Sequence, residues 1–550
     1  MNTKLMAVLL AGVVVVAGIS AYVMLNNDNG NDEGGEGNDI NTLIIGTTKA
    51  YPTLTDGNIY EVKRMIVQET LVNIDAEGDY IGLLAESWSV DELKWTFNLR
   101  TDVVWSDGEE FDATDVAYSF EIGKARRAAV YTMIDSWEIS APHKIEVTLN
   151  APVANFFFTL TNMPVMPEHI WKNIDWQTAE TYTNYVGLEG RIGTGPYVLS
   201  GLDTTSNELK FVANEKFRDG EPNIKNLILK SYANETAMLM ALSAGQIDTV
   251  YNYGTTGVSN SFIDAIKGVN SLELGIVPGY TGLPSAIYFN YRHEYSANED
   301  FRLAVKYAID YANLIQTFAP NSGMAAKEGV VPTGTLGVVE TDVLQKNLTL
   351  AKEHMGKFFA TQSPGATFDS ASNVHIDVAI PAADALSLRI MDVLKPWLAE
   401  IKVTVDTVHT DSSKVICVQT GSAFTMYFAT PAAAAGVDGF FTHYAMGPLG
   451  LVFDQDTRVI NPLDENDYSE EQWQIYQDFI GIRNDLRNSS PDDKADVMKA
   501  IQEFYAEHAL ILPMYWDNFV QPYNVKYDGF VVHPYWGILC YETFFGLKYA

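Results

Sequence analysis

Nine histidines, two cysteines and 70 acidic residues are the side chains of this 550-residue chain that could ligate a metal or move a proton. Such chemistry needs these groups at set spacings. No His-Glu-x-x-His pair places two imidazoles on one helix face, and Cys417 and Cys540 form no Cys-x-x-Cys zinc knuckle. The Gly-x-Ser-x-Gly elbow of a nucleophilic serine is missing, as is the Gly-x-x-x-x-Gly-Lys-Ser/Thr phosphate loop. No local pair of carboxylates stands out for glycoside hydrolysis. The chain reads as a non-enzyme with no cofactor and no metal.

Binding asks for less than catalysis: aromatic faces and a few placed polar groups in a concave site. Three segments carry that mixture. They are Tyr51 in the loop TKAYPTLTDGN, the run Asp438-Gly439-Phe440-Phe441-Thr442-His443-Tyr444, and Tyr515-Trp516. Each aromatic is equally at home in a packed core. Asp438 could meet a ligand ammonium group, and His443 reads more readily as a satisfied or exposed histidine than as a metal ligand.

The elements that position such residues show in the local patterns. Leu93, Trp95, Phe97 and Leu99 alternate with polar residues, predicting a half-buried strand. Val103–Trp105 reads as its hairpin partner, followed by a turn at Asp107-Gly108. Asp112 is a fitting N-cap, and Ala113, Val116, Ala117 and Phe120 lie on one face of the helix it starts. Trp88, Trp95 and Trp105 are expected core. Farther on, Thr236–Ala244 reads as a helix ending at Gly245, and Ile287–Tyr291 as a strand. Ser296-x-x-Glu299 looks like a capping box for a helix whose apolar face runs from Phe301 to Ala312. Ser490 and Pro491 predict another helix start near the C-terminus.

Composition bounds the class. A chain of this length calls for two or three domains. With 36 basic against 70 acidic residues, the formal charge of −34 repels nucleic acid and anionic lipid headgroups, so neither is an expected partner. A Cys417–Cys540 disulfide and a pair of buried thiols are both compatible with the sequence. Residues 5–25 are 21 residues without a charge, preceded by Lys4. Such a helix is about 30 Å long, enough for a bilayer. It reads as a retained anchor, with a signal cleaved near Gly18-x-Ser20 as the alternative. Residues 26–39 hold five Asn, four Gly and five acids, the composition of an acidic flexible linker. Asn234, Asn347 and Asn488 begin Asn-x-Ser/Thr sequons compatible with glycosylation outside the cell.

Several of these segments, taken in order, resemble the family 5 extracellular solute-binding proteins. The words are LLAESWSVDELKWTFNLRTDVVWSDGEEFDATDVAYSF at 83–120, QETLVNID, Gly193-Thr194-Gly195-Pro196-Tyr197, Asn214–Phe217 with Pro222–Leu229, Gly245-Gln246-Ile247-Asp248, FRLAVKYAID and LILPMYW. The resemblance spans residues 42–550 and is loosest between 320 and 480. It implies an α/β fold, a two-lobed periplasmic-binding-protein-like clamp (type II) with an extra domain inserted in the first lobe. Lobe 1 would take 40–80, 195–280 and 521–550, the extra domain 81–194, and lobe 2 281–520, with hinge crossings near 280 and 520. The implied function is the extracytoplasmic solute-binding subunit of an ABC importer. A small solute, a di- or oligopeptide first, would be captured between the lobes and delivered to permease subunits with cytoplasmic ATPases. A nickel chelate, an oligosaccharide, or a sensor or chaperone role on the same fold are the alternatives. The protein would be a monomer at the cell surface or in the periplasm, tethered by residues 5–25.

By the same resemblance, Tyr51 faces the cleft, residues 438–444 match the position of the ligand-contacting loop of the second lobe, and Tyr515-Trp516 precedes the second hinge crossing. The chain departs from the family pattern twice. Tyr311 stands where Arg or Lys is usual, and GVDGFFTHYAMGPLGLVFDQD lacks the Trp and Asp-Pro pair of many peptide-binding members. Peptide is therefore the family's commonest ligand carried over, and no residue here specifies it.

Overall fold

In the computed structural model the described residues are 41–49, 66–76, 79–125, 131, 133–151, 156–173, 192–251, 258, 260–277, 285–291, 293–329, 340–382, 384–410, 424–429, 469–488, 494–533 and 536–550. They fall into two compact units. The first runs to Val277 and resumes at Val520, and the second is Pro278–Phe519. Among the described residues no helix is long and apolar enough to cross a membrane. The expected anchor, the acidic linker, Cys417, and Ser490 with Pro491 lie outside the described residues.

The first unit is built on a seven-stranded sheet. Its order is Leu272–Val277, Phe519–Asn524, Thr249–Val250, Thr42–Thr47, Asn226–Ser231, Glu208–Ala213 and Tyr197–Asp203. The strand Thr42–Thr47 is central and pairs in parallel on both sides, with Leu43 opposite Leu227 and Ile45 opposite both Leu229 and Thr249. Leu43 and Ile45 are 0% and 1% exposed, so the TLIIGT run is a buried central strand. The last segment of the chain is locked to this strand through Asp248. Its carboxylate accepts from the Ile44 amide at 2.9 Å and pairs with Lys526 at 2.7 Å. Burial pushes the Asp248 carboxyl above its ordinary range, and Lys526 works against that rise.

A second, four-stranded antiparallel sheet in this unit is ordered Ala85–Asp91, Lys94–Leu99, Lys144–Leu149, Ile134–Ala141. Phe97, Ile145 and Val147 line its inner face at 0% exposed, with Trp88, Trp95 and Trp137 packed against the same core. The expected strand Lys94–Leu99 is present, but its partner differs from the expectation. Val103–Trp105 forms only a single bridge, Val104 to Glu110, and Lys94–Leu99 pairs with 85–91 and 144–149 instead. The three-residue run is too short to compete with two longer alternating strands. Asp112 does start the helix Ala113–Ala125, its Oδ1 accepting from the Thr114 amide at 2.7 Å. Asp115 then reaches back to the Asp112 amide at 3.1 Å, and also accepts from Trp105 Nε1 and from the Glu168 amide. That buried carboxylate ties the start of the helix to Trp105 and to the segment at Glu168.

The second unit carries a six-stranded sheet ordered Gly323–Met324, Ile511–Asp517, Ser285–Phe289, Met426–Ala429, Val374–Ala379, Val403–His409. Helix Glu299–Ala308 packs on helix Leu348–Gln362 through Phe301 and Phe358, whose rings are 5.3 Å apart. Two expectations fail here. The N-cap is Asn298, whose side chain accepts from the Phe301 amide, whereas Ser296 is buried and donates to the Asn290 carbonyl. The helix also stops at Ala308, because Ile309 is extended and Asp310 caps a new helix, Tyr311–Phe318. A cap closer to the first turn and a second strong cap outrank continuous apolar spacing. The Arg302 guanidinium is 0% exposed and donates to the Ser296, Ala297 and His508 carbonyls.

Candidate functional site

Of the seven candidate residues, Tyr51, Asp438, Phe440, His443 and Tyr444 lie outside the described residues. Tyr515 and Trp516 are placed on the strand Ile511–Asp517, every residue of which is buried. Alternation puts Tyr515 opposite Ser285 and Trp516 opposite Met324. Both rings are interior, at 1% and 0% exposed. Trp516 Nε1 has no hydrogen-bond partner among the described residues, an uncommon state for a buried indole. Burial lifts the neighbouring Asp517 carboxyl, and the Ser322 hydroxyl and the Asn518 amide pull it back. Burial likewise raises the Tyr515 hydroxyl, helped by Asp517 and opposed by Arg389. Burial thus disfavours the charged form of both Asp517 and Tyr515 at this end of the strand.

Within the first unit the structure shows a concave site that the sequence reading missed. A cleft enclosing about 470 Å³, part of it open to solvent, is lined by Gln68, Glu69, Asn73, Leu83, Trp536 and Tyr541 among others. One wall is the Gly193–Tyr197 segment. The Gly195 amide donates to the Val67 carbonyl at 3.0 Å, and a Cβ on Gly193 would come within 1.9 Å of that carbonyl oxygen. Two glycines therefore let one backbone lie directly on another. Asn214 holds the same segment from behind, its Nδ2 donating to the Gly195 carbonyl at 2.9 Å.

Beneath the cleft, Arg218 donates to both Glu69 oxygens at 2.7 and 2.6 Å and to the Tyr541 hydroxyl at 3.2 Å. Burial opposes the Arg218 charge, but Glu69, Tyr541 and Asp219 outweigh it and hold the guanidinium more firmly protonated than usual. Cys540 is a free thiol, 1% exposed, and burial pushes it up to about 12. Among the described residues no cluster of His, Cys, Asp and Glu could hold a metal ion. The sequence signal for this site was present in QETLVN and GTGPY, but only as family words. The pairing of Glu69 with Arg218 has no local signature.

A family model, bacterial extracellular solute-binding proteins, family 5 middle, matches residues 79–448. The nickel-binding periplasmic protein of Escherichia coli is 30% identical over 191 residues, 34% of this chain and 36% of that protein. The probable D,D-dipeptide-binding periplasmic protein DdpA of the same organism is 26% identical over 275 residues, 48% of this chain and 49% of that protein. The matches thus span between about a third and a half of these curated relatives. Among solved structures, HbpA2 from Haemophilus parasuis superposes with a TM-score of 0.72 at 17% identity, covering 92% of this chain and 100% of that one. Likeness at that identity concerns the fold, which is that of the two-lobed binding proteins of this family.

Proposed function

From the premise that this chain belongs to the family 5 bacterial extracellular solute-binding proteins, we propose that it is the solute-capturing subunit of an ABC importer, with a di- or oligopeptide as its solute. The observation that carries the reading is the family match over residues 79–448. The family's members are periplasmic or extracellular binding proteins and not enzymes. The relative named for D,D-dipeptide binding favours a peptide.

In this reading Tyr51, Asp438, Phe440, His443, Tyr444, Tyr515 and Trp516 contact the solute. Residues 40–80, 195–280 and 521–550 form lobe 1, 81–194 the extra domain and 281–520 lobe 2. Residues 5–25 tether a monomer to the cytoplasmic membrane. The solute favours one arrangement of the lobes, and the permease recognises it. A second reading, a nickel chelate in the same role, is favoured by the match to the nickel-binding periplasmic protein.

Thermal melting of the purified chain against di- to pentapeptides and nickel–histidine complexes tests both, with native mass spectrometry reporting any co-purified solute. At 100 times its dissociation constant a solute adds about 2.7 kcal/mol. A saturable response to peptides supports the first reading and one to nickel–histidine the second. No response to either class, with no co-purified mass, would sink both.

A further inference from the structure

The cleft of the first unit contains polar groups that the fold does not use. Gln68 is 3% exposed and its Nε2 has no hydrogen-bond partner among the described residues. Asn73, 8% exposed, lines the same cleft. The Tyr541 hydroxyl accepts from Arg218, which leaves its proton to donate. Leaving a buried donor such as Gln68 Nε2 unpaired costs about 1–3 kcal/mol, so this wall of the cleft is shaped for a partner.

The walls state what that partner is. Each carboxamide offers an N–H and a C=O side by side in one plane. Among the described residues that line the cleft the charged one is Glu69, and it is spent on Arg218. The Cys540 thiol stays protonated. Ile66, Leu83, Pro196, Leu539 and Trp536 supply apolar surface. An anion or a cation would find no counter-charge here, while a planar group with adjacent donor and acceptor would find its complement twice.

We propose that this cleft is a ligand site for a small uncharged amide, held by paired hydrogen bonds to the Gln68 and Asn73 carboxamides and covered by Trp536 and Leu83. It uses none of the residues assigned above to the transported solute, and does not depend on that assignment. The enclosed part of the cleft is small and suits a molecule of a few heavy atoms.

The test is thermal melting of the full-length protein with acetamide and N-methylacetamide, with acetate, methylammonium and glycerol alongside. The expected result is a saturable rise in Tm for the two amides and none for the charged analogues. Gln68→Met should abolish that rise while leaving the ligand-free Tm unchanged or higher, because it removes an unpaired buried donor, and Asn73→Leu should abolish the rise as well. Any response to peptides should survive in both variants. A response to glycerol alone, no saturable response, or an amide response that Gln68→Met leaves intact would overturn the proposal. Should the variants fail to fold, a crystal of the wild-type protein soaked in acetamide decides. Amide density within hydrogen-bonding distance of Gln68 Nε2 supports the site, and waters alone at that atom refute it.

Discussion

Arg218 and Glu69 stand 149 residues apart in sequence and meet as a buried ion pair, Nη1 of the arginine donating to both carboxylate oxygens at 2.7 and 2.6 Å, with side chains 4% and 3% exposed. The pair joins the QETLVN segment to the turn after the strand Glu208–Ala213, and through Tyr541 to the C-terminal helix. Removing one partner strands the other charge in the interior. Glu69→Leu or Arg218→Met should each cost about 3–5 kcal/mol, and the double variant should cost less than either. Urea unfolding of the four proteins measures the coupling. Additive single effects would show that the pair is not linked as described.

The glycines of the GTGPY segment should be intolerant for a steric reason. A Cβ at Gly193 meets the Val67 carbonyl oxygen at 1.9 Å, whereas one at Gly201 meets nothing within 4 Å. Gly193→Ala is expected to lose about 1–3 kcal/mol or more through forced backbone displacement. Gly201→Ala should be neutral or slightly stabilising. Equal effects of the two substitutions in chemical denaturation would contradict the close backbone approach.

His293 sets a pH dependence in the second unit. The Tyr295 amide donates to its Nδ1 at 3.2 Å and its Nε2 lies 3.3 Å from the Thr425 hydroxyl, so the ring is held in its neutral form. Burial depresses its pKa below the ordinary 6.5, with Glu294 and Asp377 opposing weakly. The unfolded chain therefore takes up the proton first. The contribution of His293 to stability is complete above pH 6.5 and declines as pH falls from there toward the folded pKa. His293→Gln should flatten the stability profile in that window, as followed by urea midpoints from pH 7.5 to 5. An unchanged slope would remove His293 as its source.

Cys540 should behave as an inert thiol. Its Sγ lies 3.5 Å from the Thr543 hydroxyl and 3.8 Å from the Val531 carbonyl, and burial pushes its pKa up to about 12. Iodoacetamide at pH 8 should leave Cys540 unmodified for hours in the native protein and label it within minutes in 6 M guanidinium, the thiolate being the reactive form. Peptide mapping by mass spectrometry reads the site directly. Rapid native labelling would mean that the C-terminal segment opens readily.

Features decided within a few residues were legible in the chain. Asp112 caps its helix, and Gly245, at a φ of +69°, follows the helix Glu235–Ser243 as its spacing predicts. The strand Lys94–Leu99 lies where the alternation of Leu93, Trp95, Phe97 and Leu99 placed it. Capping, glycine conformation and side-chain period act over one or two turns, so the sequence alone contains their causes, and the ordered motifs were enough to name the family. Where two local signals competed, the reading failed. Ser296 looked like a cap and became a buried donor, and Val103–Trp105 looked like a strand until longer strands took its partner.

Choices between distant segments had no local trace. The Glu69–Arg218 and Asp248–Lys526 pairs, the burial of Tyr515 and Trp516, and the unpaired amide of Gln68 each depend on which surfaces the folded chain removes from water. Desolvation multiplies the cost of an unmet charge or hydrogen bond, and it exists only once the elements have packed. Residue type told which groups could bind or ionise. Tertiary packing decided which of them were satisfied and which were left facing a cleft.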